Sequence, residues 1–153
     1  MRRAQAMIES MLAVIFVTFV LLFSIYIARM LTAKILMDHA AARAARARAV
    51  GLNDFMCAKS AHVAMLPVSG QRLIPMSDAE EFHRIPLYLE SKSAGRALAI
   101  LNYEWWKGSY IGINESHGIS PSIDVNTRIT TDSFSVGGSA SIESHYPLYM
   151  NQF

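Results

Sequence analysis

The most apolar part of the chain is an uninterrupted run near its N-terminus. Residues 10–28, SMLAVIFVTFVLLFSIYIA, carry no charge, and only Ser10, Thr18 and Ser24 among them are distinctly polar. As an α-helix this run spans about 29 Å, which is close to the hydrocarbon thickness of a bilayer. Apolar side chains surround the helix on every side, and so short a chain has little else to cover them. The run therefore predicts a single membrane-spanning helix.

A cleaved secretory signal peptide is the nearest alternative, because Arg2 and Arg3 precede the apolar run. The run is longer than the usual apolar region of a signal peptide. Residues 29–34, RMLTAK, follow it without a convincing small-x-small cleavage site. We therefore expect the helix to remain in the mature protein.

The spanning helix is expected to continue beyond the apolar run. No Gly or Pro occurs before Gly51, and strong helix formers dominate residues 29–50. We predict one helix from about Ala4 to Val50, ended by Gly51 in a left-handed conformation. Such a helix is about 70 Å long, so more than half of it lies outside the lipid.

The outer part of this helix combines a basic stripe with small side chains. His39, Arg43 and Arg46 are spaced i, i+4 and i+7 and share one side of the helix. The other sides are nearly smooth because they carry alanines, at positions 40, 41, 44, 45 and 47. Small side chains permit close approach, which leaves two interpretations: a packing surface for neighbouring subunits, or a helix covered by its own globular domain.

Beyond Gly51 the pattern changes to that of a small soluble domain with short helices. Asn53 or Asp54 can cap a helix that ends near Pro67 and carries four residues on one side, Phe55, Ala58, His62 and Met65. Residues 67–70 are expected to form a turn and residues 75–86 mostly a loop, with a brief helix at 78–83. A second helix, capped by Ser93 and stopped by Gly108, is predicted over residues 93–106 from four residues at helical spacing: Ala94, Leu98, Leu101 and Trp105.

The last part of the chain alternates as β-strands do. Apolar residues and one threonine share odd positions in one segment and even positions in the next: Ile119, Ile123, Val125, Thr127 and Ile129, then Phe134, Val136, Ala140, Ile142 and Tyr146. A two-residue turn at Gly137 and Gly138 would mix the faces, whereas a four-residue loop at 130–133 pairs Ile129 with Phe134 and Thr127 with Val136. The two glycines are then expected to form a bulge or flexible point. The predicted class is α+β, with an antiparallel sheet whose apolar face packs on the 93–106 helix.

Composition and charge narrow the classes of function. The chain has 153 residues, enough for one small domain but not for multidomain machinery. Residues 1–50 carry seven basic and two acidic side chains, whereas residues 51–153 carry seven basic and ten acidic ones. Basic groups split in this way do not suit a folded nucleic-acid binder, so we expect no nucleic acid among the partners. The single cysteine, Cys57, excludes a disulfide within the chain.

Motifs for catalysis and metal binding have little support. The sequence has no phosphate-binding glycine loop, no GxSxG and no HExxH. Cys57 and His62 are the closest pair of potential metal ligands, and a site would need further histidines from elsewhere: His83, His117 and His145. Trp105 and Trp106 could form a sugar-binding platform, but a core Trp105 beside a boundary Trp106 is the simpler interpretation. We expect no enzymatic activity, no cofactor and no metal.

The residues before the apolar run carry the most specific signal. Residues 2–9, RRAQAMIE, end in Glu9 directly before the run, and residues 39–51, HAAARAARARAVG, follow beyond it. Glu9 needs an explanation because a carboxylate well inside lipid is costly, although it could also be an N-terminal helix acid at the water boundary. In these residues the chain resembles the TadE-like minor pseudopilins of the tight-adherence (Flp) pilus apparatus. The resemblance covers the first third of the chain well and the rest in outline.

The resemblance implies leader processing and subunit assembly. In this family a prepilin peptidase removes a short basic leader at the cytoplasmic face, and a glutamate stands five residues into the mature chain. Counted back from Glu9, the cut falls between Ala4, where the family more often has Gly, and Gln5. The glutamate of one subunit would then neutralise the new α-amino group, here on Gln5, of a neighbour. The implied segments are a leader at 1–4, a helix at 5–50 and an extracytoplasmic domain at 51–153.

Partners and location also follow from the resemblance. The expected partners are membrane lipid, other pilins or pseudopilins, the prepilin peptidase and the pilus assembly platform. The expected location is the bacterial inner membrane, with the C-terminal domain outside the cytoplasm. Basic residues are more numerous after the apolar run than before it, which by the positive-inside rule favours the reverse topology. That rule describes loops, however, and charges on a rigid helix of an export substrate need not obey it. The alternative function is a single-pass anchored accessory or binding subunit of another membrane complex.

Overall fold

The structure, a computed structural model, describes residues 2–73, 78–116, 121–130 and 135–143, and all of their side chains except those of 2–4 and 78–81. Contacts divide the chain into two compact units, Met1–Ala33 and Lys34–Phe153. The chain has a long apolar N-terminal helix and a small domain in which short helices accompany a three-stranded antiparallel sheet. This confirms the predicted α+β class.

Helix α1 spans Arg2–Ala49 and agrees with the predicted helix to within two residues at either end. Its C-terminus is a Schellman motif around Gly51, whose φ is +89°. The N–H of Gly51 donates to the carbonyl of Arg48 at 2.8 Å, and the N–H of Leu52 donates to that of Ala47 at 3.2 Å. Gly51 therefore ends the helix in the left-handed conformation that the sequence predicted.

In the first unit α1 is a helix without tertiary cover. Every residue from 5 to 29 is exposed. The serine and threonine hydroxyls of the apolar run donate to carbonyls of the same helix at 2.8–2.9 Å: Ser10 to Met7, Thr18 to Val14 and Ser24 to Val20. These polar side chains are thus satisfied without water, as a segment surrounded by hydrocarbon requires.

In the second unit the outer part of α1 lies in the core. Ala40, Ala41, Ala44 and Ala45 are 0% exposed, and they form one cluster with residues of α2 (Asp54–Met65) and β2 (Ser122–Thr130): Ala61, Ala64, Met65, Ile123, Val125 and Ile129. Of the two interpretations of the alanine-rich surface, the structure confirms the one in which the chain covers its own helix. These alanines are not a free surface for a neighbour.

The sheet consists of β1 (Ser109–Ser116), β2 and β3 (Ser135–Glu143) in that order, all antiparallel. Ile129 pairs with Val136, two positions from the predicted partner Phe134, and residues 131–134 lie outside the described chain. The predicted register was wrong because a shift of two residues leaves every side chain on the same face, so alternation alone cannot distinguish the two. Strand β1 was not predicted.

Gly137 and Gly138 pair regularly with Arg128 and Thr127, so the predicted bulge is wrong. The structure gives another reason for Gly138. A Cβ atom there would lie 2.4 Å from the carbonyl carbon of Met37 in α1, so only glycine lets the strand approach the helix backbone this closely.

The predicted 93–106 helix is divided in two. Helix α4 covers only Ala94–Ile100, and a 3-10 turn follows at Glu104–Gly108. Ser93 occupies the N-cap position without a side-chain hydrogen bond, and Leu101 is extended at φ −130° and ψ 128°. Leu101 and Ala97 belong to a second cluster with Tyr88, Tyr103 and Trp106, while Leu98 is 53% exposed. The sheet therefore packs mainly on α1 and α2, which corrects the predicted packing: from the predicted helix Trp105 contacts the cluster of the sheet, whereas Leu101 does not.

The two remaining helices differ in how well the sequence predicted them. Asn53 caps α2 as expected, because its side-chain oxygen accepts from the N–H of Met56 at 2.9 Å, and a 3-10 turn containing Pro67 follows at Leu66–Val68. Helix α3 spans Asp78–Glu90 and continues through Pro86, which corrects the predicted loop. The turn beyond Pro86 is held by tertiary contacts, since Tyr88 is buried and Lys59 donates to the carbonyl of Leu89.

Two side chains of α1 also hydrogen-bond to backbone groups of β3, which is an edge strand of the described sheet. The ammonium of Lys34 donates to the carbonyl of Gly137 at 2.7 Å and to Asp38 at 3.0 Å. Asp38 in turn accepts from the N–H of Ser139 at 3.3 Å. Backbone groups at the middle of this edge are therefore not free to pair with another strand.

Candidate assembly site

The residues predicted for processing and assembly lie at the start of α1. The backbone of Ala4 and Gln5 is helical, and Gln5 and Glu9 are one turn apart on the same face and exposed. The surface around them is formed by six neighbouring residues of the helix: Gln5, Ile8, Glu9, Leu12, Ala13 and Phe16. The small Ala13 between larger apolar side chains leaves room for a neighbouring surface next to the carboxylate.

Glu9 is the single acidic residue before Asp38. Within the part of the chain that the structure describes, its carboxylate makes no hydrogen bond and no ion pair. The serine and threonine hydroxyls of the following run are bonded to their own helix, whereas Glu9 is not. Chemically, this group is able to accept a hydrogen bond or a positive charge from a second molecule.

The segment that follows Glu9 meets the physical requirements of a membrane span. Helix α1 contains one stretch long and apolar enough to cross a bilayer, with a mean hydropathy of 2.7 and none of its most apolar window buried by the chain itself. This is compatible with a single-pass membrane anchor, because the exposed apolar side chains would otherwise face water.

The basic stripe lies beside a cleft in the second unit. His39, Arg43 and Arg46 are exposed, and together with Ala47 and Ser60 they line an open cleft of about 440 Å³. Neither guanidinium is hydrogen-bonded or ion-paired to any residue in the described ranges. The stripe predicted from the sequence is thus present, and neither arginine is ion-paired with a carboxylate that the structure describes.

Arg48 behaves differently from the stripe, although it is on the same helix. Its guanidinium bonds the carboxylate of Glu115 in β1, donates to Asp54 at 2.9 Å and donates to the carbonyl of Leu52 at 3.1 Å. The hydrogen bond with Glu115 is the main cause that raises the pKa of Arg48. This connection between α1 and β1 is not visible in the sequence, because Glu115 is 67 residues away along the chain.

His62 and Ser109 come within hydrogen-bond distance, but not as a catalytic pair. Ser109 donates to the carbonyl of Trp106 at 2.8 Å, so its oxygen accepts from His62 Nε2 at 3.0 Å, and His62 Nδ1 faces the hydroxyl of Tyr88 at 3.4 Å. Burial lowers the pKa of His62 to about 4 and raises the pKa of Tyr88 to about 12, so both are neutral near pH 7. Because the Ser109 oxygen accepts a hydrogen bond from His62, the histidine is not placed to remove the proton of the serine. Ser109 is therefore not activated as a nucleophile.

The two tryptophans are placed opposite to the prediction. Trp106 is 6% exposed, stacks on His62 at 4.7 Å between ring centroids, and donates to Ser69 at 2.7 Å. Trp105 is only half-buried and lies over Gly70. The spacing i, i+4, i+7, i+11 predicted a buried Trp105 on the condition that one helix continues through residues 93–106. Leu101 is extended and ends α4, so the helical spacing does not continue to Trp105.

The potential metal ligands are not brought together where the structure describes them. Over those residues, no group of three or more His, Cys, Asp or Glu side chains has the arrangement to hold a metal ion. The thiol of Cys57 donates to the carbonyl of Leu52 at 3.5 Å, and burial raises its pKa, which keeps it protonated. His83 is exposed on α3, and His117 and His145 lie outside the described residues.

Lys59 is a buried charge that the sequence analysis did not single out. It is 1% exposed and donates to the carbonyl of Leu89 at 2.8 Å and to the hydroxyl of Ser91 at 3.0 Å. Its ammonium also lies 5.0 Å from the ring centre of Phe55, and burial lowers its pKa. The one signal for it in the sequence was a lysine in the middle of α2, close to Cys57 and Ala61, which are also buried.

The described chemistry therefore divides into internal and unmatched groups. Lys59, His62 and Arg48 are bonded inside the second unit, whereas Glu9 and the stripe have no described partner. Comparison with models of known protein families, with curated proteins and with solved structures gives no match.

Proposed function

We propose that this chain is a minor pilin-like or pseudopilin-like structural subunit for assembly of a tight-adherence pilus or a related secretion filament. The observation that carries the proposal is Glu9. It is an acid without a described partner at the start of a helix that is apolar enough to span a bilayer. Its position agrees with the resemblance of residues 2–9 to the leader and first residues of TadE-like pseudopilins.

The physical role of Glu9 in this proposal is to recognise a processed neighbour. Cleavage between Ala4 and Gln5 gives Gln5 a free, positively charged α-amino group. A carboxylate in a low-dielectric surround attracts such a charge strongly, whereas either group alone is costly there. Assembly would then depend on processing, because an uncleaved chain has no amine at this position.

The first test is the mass of the native protein. We expect the form isolated from its assemblies to lack Met1–Ala4, since the prepilin peptidase would remove the leader at the cytoplasmic face. Intact-mass spectrometry measures this directly. An N-terminus that retains Arg2 and Arg3 would contradict the proposal and favour the alternative, an anchored accessory or binding subunit of another membrane complex.

The second test concerns the charge of Glu9. We expect Glu9→Gln to leave insertion intact and to reduce co-isolation with pilus components about tenfold, because the variant keeps the shape and loses the charge. Glu90→Gln is the matched control, since it makes the same change at an exposed residue of the second unit. Equal co-isolation of both variants with the wild type would remove the pairing role.

The orientation in the membrane is tested separately. We expect protease added outside spheroplasts to digest the domain at residues 51–153, which the proposal places outside the cytoplasm of the inner membrane. Full protection of this domain in intact spheroplasts, with digestion after lysis, would show the reverse topology that the basic residues after the helix favour.

A further inference from the structure

The unmatched cations of α1 point to a binding surface. We call the surface formed by His39, Arg43, Arg46 and Ser60 the basic cleft. Arg43 and Arg46 are three residues apart on one helix, where like charges repel and weaken the helix slightly. Lys34, in contrast, has Asp38 as an ion-pair partner on the same helix. The basic cleft therefore adds charge that the fold of the second unit does not use.

An acidic counterpart lies on the outer face of the sheet. Asp124 pairs across the strands with Ser141, and Glu143 pairs with Ser122, so the two carboxylates are diagonal neighbours on one face. We call this pair the acidic corner. Neither residue has an ion pair or hydrogen bond to the described chain. The single basic residue of the three strands, Arg128, is about 13 Å away along β2.

The basic cleft and the acidic corner lie on opposite sides of the second unit. Val125 is 0% exposed and belongs to the cluster that includes Ala41 and Ala44 of α1. Asp124 is its neighbour along the strand, so its side chain lies on the opposite face of the sheet. The acidic corner therefore points away from α1. Around α1, Arg43 and Arg46 are about half a turn from those alanines. The order through this unit is therefore acidic corner, sheet, α1 and basic cleft.

We propose that the basic cleft of one copy of this chain binds the acidic corner of a second copy. The two surfaces are different and face opposite ways, so the contact is heterologous and can repeat from copy to copy as an open array. The inference rests on the proposed function and deepens it, because it names a second copy of the chain as a partner. The contact depends on exposed charges, so it weakens as salt is raised.

Cross-linking between two tagged copies of the full-length chain tests this directly. Cys57 is the single cysteine of the chain, so a Cys57→Ala background leaves no native thiol to react. In membranes, a copy with Arg46→Cys and a copy with Glu143→Cys should give about tenfold more mixed disulfide on oxidation than two copies with Arg46→Cys. Glu104→Cys, at another exposed carboxylate, replaces Glu143→Cys in the control pair. Equal cross-linking in all pairs, or none in the first pair, would overturn the proposal.

Charge reversal gives a second measurement that does not depend on disulfide geometry. Arg43→Glu with Arg46→Glu should abolish co-isolation of two tagged copies, and so should Asp124→Lys with Glu143→Lys. One copy of each kind, mixed, should restore it. Failure of this rescue while both variants keep the wild-type melting temperature would refute the contact.

The outcomes separate this inference from the proposed function. A trimmed leader and a Glu9-dependent assembly without the cross-link would remove the self-contact and leave the pseudopilin-like role in place. A retained leader with the cross-link present would remove that role and leave a membrane-anchored protein that associates with itself.

Discussion

Helix α1 is one continuous element, but its two halves are built for different surroundings. Residues 5–29 carry large apolar side chains that are all exposed, and the serines and threonine of the run are bonded to their own backbone. From Lys34 onward, in the second unit, the helix carries alanines that are 0% exposed, and two of its charged side chains, Lys34 and Arg48, bond to other elements.

The difference shows how side-chain size reports the neighbour of a helix. Large side chains suit hydrocarbon, because lipid tails adapt to any outline. Alanines suit a packed sheet, because they let two backbones approach until a glycine is needed, as at Gly138. Hydrogen bonds follow the same division: the serine and threonine hydroxyls of the apolar run bond within the helix in one half, whereas Lys34 and Arg48 bond to other elements in the other half.

The largest expected effect comes from filling the contact between sheet and helix. Gly138→Ala would place a Cβ atom 2.4 Å from the backbone of Met37, and a backbone cannot rotate away. We expect the free energy of unfolding of the second unit to fall by about 3 kcal/mol, measured by chemical denaturation of the chain in detergent. Gly95→Ala is the control: its Cβ would meet nothing within 4 Å, so the helix propensity of alanine should stabilise by about 0.5–1 kcal/mol. Similar stability of the two variants would contradict the close approach.

The next largest effect is a dependence of stability on pH through His62. Its pKa in the folded state is about 4, against 6.5 for an ordinary histidine. Between these values the unfolded chain binds a proton that the folded chain does not, so the free energy of unfolding falls as the pH is lowered from 6.5 to 4. We expect a loss of about 2 kcal/mol, measured by denaturation across this range.

A comparison of two variants isolates this contribution from that of the carboxylates. His62→Gln should flatten the decline below pH 6.5, whereas His39→Gln, at an exposed position, should leave the wild-type slope unchanged. An unaltered slope in His62→Gln would show that the buried ring does not titrate in this way.

A smaller effect separates the two kinds of arginine on the outer half of α1. Arg48→Ala removes the bonds to Glu115 and Asp54 and should lower the free energy of unfolding by about 1 kcal/mol. Arg43→Ala should change it by less than about 0.5 kcal/mol, because its guanidinium has no partner among the described residues. Equal losses in thermal or chemical denaturation would mean that the stripe also supports the fold.

The smallest effect is expected in the exposed apolar half of α1, residues 5–29. Thr18→Val replaces a hydroxyl bonded to the carbonyl of Val14 by a methyl group of similar shape. The membrane-inserted fraction should not change, because neither side chain leaves an unsatisfied donor in the bilayer. Thr18→Arg is the contrasting variant, and carbonate extraction of membranes measures both. Release of Thr18→Val from the membrane would show that the hydroxyl serves a partner instead.

Local signals in the sequence predicted the elements whose causes are local. The run of apolar residues, the absence of Gly and Pro, and Gly51 were enough to place α1 within two residues, and Asn53 placed the start of α2. The strand faces followed from alternation. The strand register did not, because alternation is the same after a shift of two residues. The predicted helix at 78–83 was too short, because tertiary contacts let α3 continue through Pro86.

The candidate site shows the same limit. Glu9 and the basic stripe were found because their neighbours in sequence make them conspicuous. Lys59 and Arg48 were not, because Leu89, which accepts from Lys59, and Glu115, which pairs with Arg48, lie 30 and 67 residues away. The main packing partner of the sheet was also missed, since nothing in the strands shows that α1 and α2 would cover them, with Trp105 contributing from residues 93–106.

The closed edge of β3 has a consequence for crowding. A chain held in a membrane meets its copies often, and strands with bare backbone edges fuse into ribbons under such conditions. Pairing through β3 would need the backbone groups at the middle of its edge, and Lys34 and Asp38 already bond to two of them. The cation and the carboxylate of one helix turn thus protect this strand from backbone pairing with a neighbour.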